Sequence, residues 1–343
     1  MKRPRFLPDT FTLIIVGLVV LASVLPVQGD AAFAADLLTN LAIALLFFLH
    51  GAKLPTRVVL AGLAHWRLHG LVFACTFLLF PAAGLALHPV LEPAIGAELY
   101  KGMLFLCALP ATVQSAIAFT SLARGNVPAA ICSAATSSLL GIFITPVLVL
   151  LMLGAAVQSM PLGEAIGKIT LQLLVPFLAG QLMRRWIGGW VDKNKAWLKY
   201  VDQSSIYLVI YTAFSRAVVE GIWSRLPVWQ LITLTVACCI LLALIMVVVN
   251  LVAKRLNFSL EDRITILFAG SKKSLASGVP MAQVMFSGAS MGTLLLPLMI
   301  FHQIQLMVCA VLAKRYGKRP EAASETDAAP VIPGAAVSGG ASQ

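Results

Sequence analysis

The chain is expected to fold as an all-α polytopic membrane protein of ten transmembrane helices, built as two inverted five-helix repeats with broken, crossing helices four and nine. Three observations lead there. Apolar runs long enough to span a bilayer follow one another with short gaps, basic residues concentrate in alternate gaps, and two of the runs are interrupted at equivalent positions. Of the residues, 59% are hydrophobic and only 11% charged. With a mean hydropathy of +0.92, the composition lies outside the range of soluble domains.

About 20 apolar residues at 1.5 Å rise each cross the hydrocarbon core. On that measure helices are predicted over Phe11–Val27, Ala32–His50, Leu68–Leu87, Tyr100–Ala123 and Val127–Leu153. A second set follows over Leu162–Trp186, Val201–Val219, Val228–Ala253, Ile264–Phe286 and Met291–Ala313. Residues 1–10 then form a cytoplasmic N-terminus, 11–153 the first five-helix repeat, 154–161 an external linker, 162–316 the second repeat, and 317–343 a tail. The tail is rich in Pro, Ala, Ser, Gly and acidic residues without periodicity, and is expected to be disordered. The apolar runs are continuous, whereas a lipid-spanning barrel needs alternation along each strand.

Basic residues test this count. With the N-terminus inside, the inner segments hold 19 of the 25 lysines and arginines, among them Lys53, Arg124, Arg184, Lys199, Lys254 and Lys314. The outer loops hold only Lys101, Lys168, Arg216 and Arg225. This is the asymmetry of the positive-inside rule, and it places both termini in the cytoplasm of a bacterial inner membrane. The net charge of +11 is thereby accounted for by topology and anionic lipid, with no nucleic-acid partner. A cleavable signal peptide ending near Ala32-Phe33-Ala34 is the competing reading of the first run, but cleavage would leave nine helices and reverse the parity. All six cysteines lie in predicted helices without metal-ligand spacing, so they are read as packing residues. Six tryptophans, Trp66, Trp186, Trp190, Trp197, Trp223 and Trp229, fall at predicted interfaces.

Helix four contains Leu109-Pro110-Ala111-Thr112-Val113-Gln114-Ser115, and helix nine contains Gly270-Ser271-Lys272-Lys273-Ser274-Leu275-Ala276-Ser277-Gly278-Val279-Pro280. In helix four Pro110 removes a donor and small or polar residues follow, and in helix nine glycine and serine surround the lysines and Pro280 closes the stretch, so each helix is expected to break in mid-membrane. Lipid cannot satisfy the freed backbone; side chains, water or a ligand must. A charge at that depth costs roughly 2.5–3.5 kcal/mol on insertion scales, which makes Lys272 and Lys273 functional candidates. Breaks at the fourth position of each half are a transporter layout, with half-helix ends presenting partial charges at the midplane.

The run Leu122-Ala123-Arg124-Gly125-Asn126, the Ser-rich fifth helix ending Thr145-Pro146 and the Ser277-Gly278 motif resemble the bile acid:sodium symporter family. The stretch from Gly270 to Met281 is most similar to the branch containing solute carrier family 10 member seven. The resemblance implies a core domain around the crossed helices and a panel domain of helices one, two, six and seven. It further implies sodium ligands at the fourth-helix break, on helix five and at a ninth-helix glutamate. Here Gln114 and Ser115 lie near the first of these, but the helix-five positions fall on Ala130 and Ala134, with Ser133, Thr136 and Ser137 on neighbouring faces. The glutamate position falls on Ser271, and the following Gln-Asn pair on Leu275 and Ala276. Every carboxylate lies in a loop, tail or helix end, with Asp36, Asp202 and Glu220 nearest to membrane depth. A sodium ion beside an ammonium 4 Å away would meet about 4 kcal/mol of repulsion at an effective dielectric of 20.

The chain is therefore read as a secondary active transporter of a small organic anion, not an enzyme, with a lysine ammonium in place of the bound cation or meeting the substrate directly. Candidate substrate or ion contacts are Thr112, Gln114, Ser115, Ser133, Ser137, Ser271, Lys272, Lys273, Ser274 and Ser277. His69, Asn250, His302 and Gln303, with Gln305 beside them, are secondary candidates. No cofactor is expected beyond Na+ or H+ as a coupling ion, and no metal centre. Two other classes stay open: a non-transporting membrane regulator or scaffold, and an intramembrane hydrolase with Ser271 or Ser115 as nucleophile and a lysine base.

Overall fold

A computed structural model describes residues 10–53, 65–154, 167, 170–219, 221, 226–286 and 291–319. All regular structure among them is helical. The first elements are α1 (Thr10–Val24), α2 (Asp30–Lys53) and α3 (Trp66–Ala86), the last widened into a π-helical turn at Cys75–Leu79. A short α4 (His88–Ile95) leads to α5 (Ala97–Ala108), α6 (Gln114–Leu122) and α7 (Val127–Leu153). A second π turn at Thr170–Leu174 opens α8 (Val175–Lys193), followed by α9 (Lys195–Val219) and α10 (Val228–Arg255). The chain closes with α11 (Leu260–Gly270), α12 (Leu275–Met285) and α13 (Met291–Gly317).

By length and composition α2, α3, α7, α10 and α13 are each able to cross a membrane. The expected fourth helix is two pieces, α5 and α6, and the expected ninth is also two, α11 and α12. Helix α4 falls in a stretch expected to be a connection. It forms because Leu91 and Ile95, one turn apart, bury one face as α4 packs on α10, a signal too short for a spanning window. Residues 1–9, most of the external linker, the start of the expected sixth helix, Glu220, Trp223 and residues 320–343 lie outside the described residues.

Two packing groups follow from the side chains. Helices α1, α2, α8 and α9 pack on one another, and α9 packs on α12 and α13 of the remainder. The α2–α8 crossing depends on glycine: a Cβ at Gly51 would overlap the Phe177 carbonyl, and one at Gly180 the Phe48 carbonyl. With no hydrophobic gain between helices in lipid, such backbone approach is what holds them. Outward faces are apolar, as at Val16 and Val20 on α1, Leu37 and Leu41 on α2, Leu182 on α8 and Ile232 and Ile240 on α10, all exposed. That surface suits hydrocarbon rather than water.

Candidate functional site

Each break is dictated locally. Leu109 precedes a proline and is extended (φ −72°, ψ 155°), so α5 stops at Ala108 and α6 begins only at Gln114. In the other break Ser274 is extended and its hydroxyl accepts from the Ser277 N–H, capping α12. Thr112 and Ser115 make the matching hydroxyl pair at the start of α6, 2.7 Å apart. The two breaks touch directly, with the Ser274 N–H donating to the Pro110 carbonyl at 2.9 Å. Gly141 of α7 lets Pro110 in; a Cβ there would lie 2.6 Å from the proline Cβ.

Lys273 closes the carbonyl end of α5. Its Nζ donates to the carbonyls of Cys107, Leu109 and Thr76, each at 2.7 Å, and lies 4.2 Å from the Phe80 ring centre. An ammonium has three donors and no acceptor, and all three are met. Thr145 Oγ1 donates to the remaining Ala108 carbonyl at 2.9 Å. The Thr76 carbonyl is free because of sequence: its ordinary donor, the Phe80 N–H, bonds Cys75 in the π turn, and the next candidate is Pro81, which has none. The Gln305 side chain of α13 pairs with both backbone groups of Lys273, accepting from its N–H and donating to its carbonyl, each at 2.9 Å. Lys272 is as deeply buried, yet its Nζ has no hydrogen-bond partner; it lies 4.3 Å from the Phe119 ring centre and 5.4 Å from that of Phe268.

A cavity of about 220 Å³ opens between the breaks and the α1–α2–α9 faces. One wall is the start of α6 (Thr112, Gln114, Ser115) and of α12 (Ser274, Ser277), with His302 of α13. The facing wall is Lys199, Asp202, Gln203 and Ile206 of α9, with Leu46 and His50 of α2. Asp202 pairs with Lys53 at 2.5 Å. The first N–H groups of a helix lack internal partners and carry partial positive charge, so two half-helices present donors to this space.

Six of the sequence candidates therefore meet at the cavity, and the others do not line it. Ser133 Oγ pairs with His69 Nδ1 at 2.6 Å, Ser137 Oγ accepts from the Ala111 N–H at 3.1 Å, and Ser271 Oγ donates to the Leu267 carbonyl at 2.5 Å. Asn250 accepts from Arg263 at 3.2 Å, and Gln303 is half-buried on α13 away from the cavity wall. Sequence reading missed the facing wall, although its signal was present. Lys199, Asp202, Gln203 and Ile206 stand at i, i+3, i+4 and i+7, and Leu46, His50 and Lys53 at i, i+4 and i+7. The expectation that every carboxylate stays in a loop, tail or helix end is amended for Asp202, because α9 begins at Lys195 and carries it about two turns inward, onto the cavity wall.

The profile of the SBF-like CPA transporter family matches residues 9–318. An uncharacterized protein of Pseudomonas aeruginosa is 63% identical over 324 residues, covering 94% of this chain and 97% of that protein. The Escherichia coli K12 protein YfeH, which carries a symporter name, is 54% identical over 321 residues, 94% and 96% of the two chains. Sodium/bile acid cotransporter 7 of Mus musculus is 32% identical over 276 residues, 79% and 81%. The family's name and those of the last two relatives belong to transporters, not enzymes. A profile spanning nearly all the described residues, with relatives matched over most of their own length, makes this chain a member of the SBF-like CPA transporter family and an integral membrane transporter of the bile acid:sodium symporter group.

Proposed function

We propose that the chain is a secondary active transporter of a small organic anion, moved by alternating access around the crossed breaks, with no sodium ion where Lys273 sits. The observation that carries this reading is a division of helix ends. The starts of α6 and α12 meet at one cavity, while the carbonyl end of α5 is occupied by the Lys273 ammonium. Donor ends favour an anion and carbonyl ends a cation, and here the protein supplies its own cation.

In this reading ten spans form two inverted repeats, and the α1–α2–α8–α9 group is the panel that rocks against the rest. The cavity lies on the side bearing Lys53 and Lys199, which in this reading is the cytoplasmic side of a bacterial inner membrane because the basic loops collect there, so this conformer faces inward. Sodium and bile acid are named for the mouse relative. On the family resemblance Ala130, Ala134 and Ser271 fall where sodium ligands are expected, which favours H+ or no coupling ion. The test is uptake of radiolabelled organic acids into proteoliposomes. Influx at equal rates in external sodium and potassium is expected. Strict sodium dependence would overturn the assignment of Lys273, and binding without flux would replace transport by a regulatory role.

A further inference from the structure

The reading above leaves the class of anion open; resting on it, the cavity itself narrows the choice. Its volume of about 220 Å³ is below the ≈300–1,000 Å³ of sites for drug-sized ligands. A steroid nucleus with its side chain outgrows that space. The walls are mixed, with Phe11, Leu46, Val113, Ile206, Leu275 and Leu306 supplying apolar surface between the polar groups. Hydroxyls of Thr112, Ser115, Ser274 and Ser277 crowd one side, and Lys199 and Gln203 stand opposite.

Charge is distributed unevenly across the two walls. Asp202 pairs through Oδ2 with Lys53 of the neighbouring helix, while its buried Oδ1 has no hydrogen-bond partner. Lys199, one turn before it on α9, lines the same cavity and has no ion-pair partner among the described residues. One uncommitted ammonium therefore faces two half-helix starts across a small space of mixed lining.

We propose that the cavity takes a short-chain hydroxy- or oxo-carboxylate, and not a sterol, with Lys199 as the charge contact on α9 and the four hydroxyls at the starts of α6 and α12 holding the polar end. The small volume favours a short ligand over a sterol, and the hydroxyls reward a ligand that carries oxygen along its chain rather than a plain fatty acid.

Thermal stabilisation of the purified full chain in detergent by millimolar lactate, malate and citrate, beside butyrate, taurocholate and choline, tests this. At least one of the three oxygenated acids is expected to raise the melting temperature, with butyrate and taurocholate inert. Lys199→Gln should weaken that acid about ten- to a hundredfold, while Lys199→Arg keeps it within a few-fold. Lys199 is exposed, so neither variant threatens folding. Stabilisation by taurocholate alone would overturn the substrate class but leave the organic-anion reading standing. Stabilisation by choline alone would overturn both. Silence from all six probes would overturn the class, and an undiminished shift in Lys199→Gln would remove the lysine from it.

Discussion

Two adjacent lysines, both wholly buried, are predicted to respond in opposite directions to the same substitution. Lys273→Met keeps an unbranched stem but strips three acceptors, the carbonyls of Thr76, Cys107 and Leu109, of their donor. Each orphaned buried acceptor costs about 1–3 kcal/mol, part of which is returned because an ammonium no longer has to be desolvated. The net loss expected is about 3–5 kcal/mol, as for other broken buried charge networks. Lys272→Met removes a charge with no hydrogen-bond partner, so only ring contacts to Phe119 and Phe268 are lost, worth about 0.5–2 kcal/mol against a desolvation cost of several. That variant should be at least as stable as wild type. A maleimide dye that reports cysteine exposure suits the measurement, since five of the six thiols are buried in the folded chain. Equal destabilisation by the two variants, or a larger loss at Lys272, would refute the reasoning.

Two further substitutions probe the framework. Removing a proline from a helix ordinarily stabilises it, but Pro81→Ala would return a donor to the π turn and draw the Thr76 carbonyl away from Lys273; a loss of about 1 kcal/mol in thermal unfolding is expected, and a gain would contradict the role given to that turn. Gly180→Ala places a methyl against the Phe48 carbonyl, so a loss of about 3 kcal/mol and a broadened size-exclusion peak are predicted; an unchanged peak and melting temperature would show that α2 and α8 have room to separate.

The breaks were legible because proline, glycine and clustered serines interrupt runs that lipid otherwise requires to be unbroken. Their boundaries were less so: Pro280, read as closing the ninth break, lies inside α12, and the break proper is Ser271–Ser274. Lys272 and Lys273 could be read as buried charges, but not told apart. The acceptors that distinguish them come from α3 and α5, 197 and 166 residues away in the chain for Thr76 and Cys107, and no local pattern reports such pairing. The α9 wall was hidden for a different reason. Lys199 also serves the positive-inside asymmetry, and once a charge has one sufficient explanation its helical spacing to Asp202 and Gln203 is easily passed over. The short α4 escaped because a two-turn helix buries too few residues to register in a spanning window.

If a lysine ammonium stands where a cation would bind, a sodium titration of thermal stability shows it without knowledge of the substrate. Wild type and Lys273→Ala would be melted at constant ionic strength while sodium replaces choline. A flat wild-type response is predicted, together with a saturable gain in Lys273→Ala, whose vacated carbonyls at Thr76, Cys107 and Leu109 become open to a monovalent cation. Saturable, sodium-specific stabilisation of the wild type would mean that a sodium site persists beside Lys273.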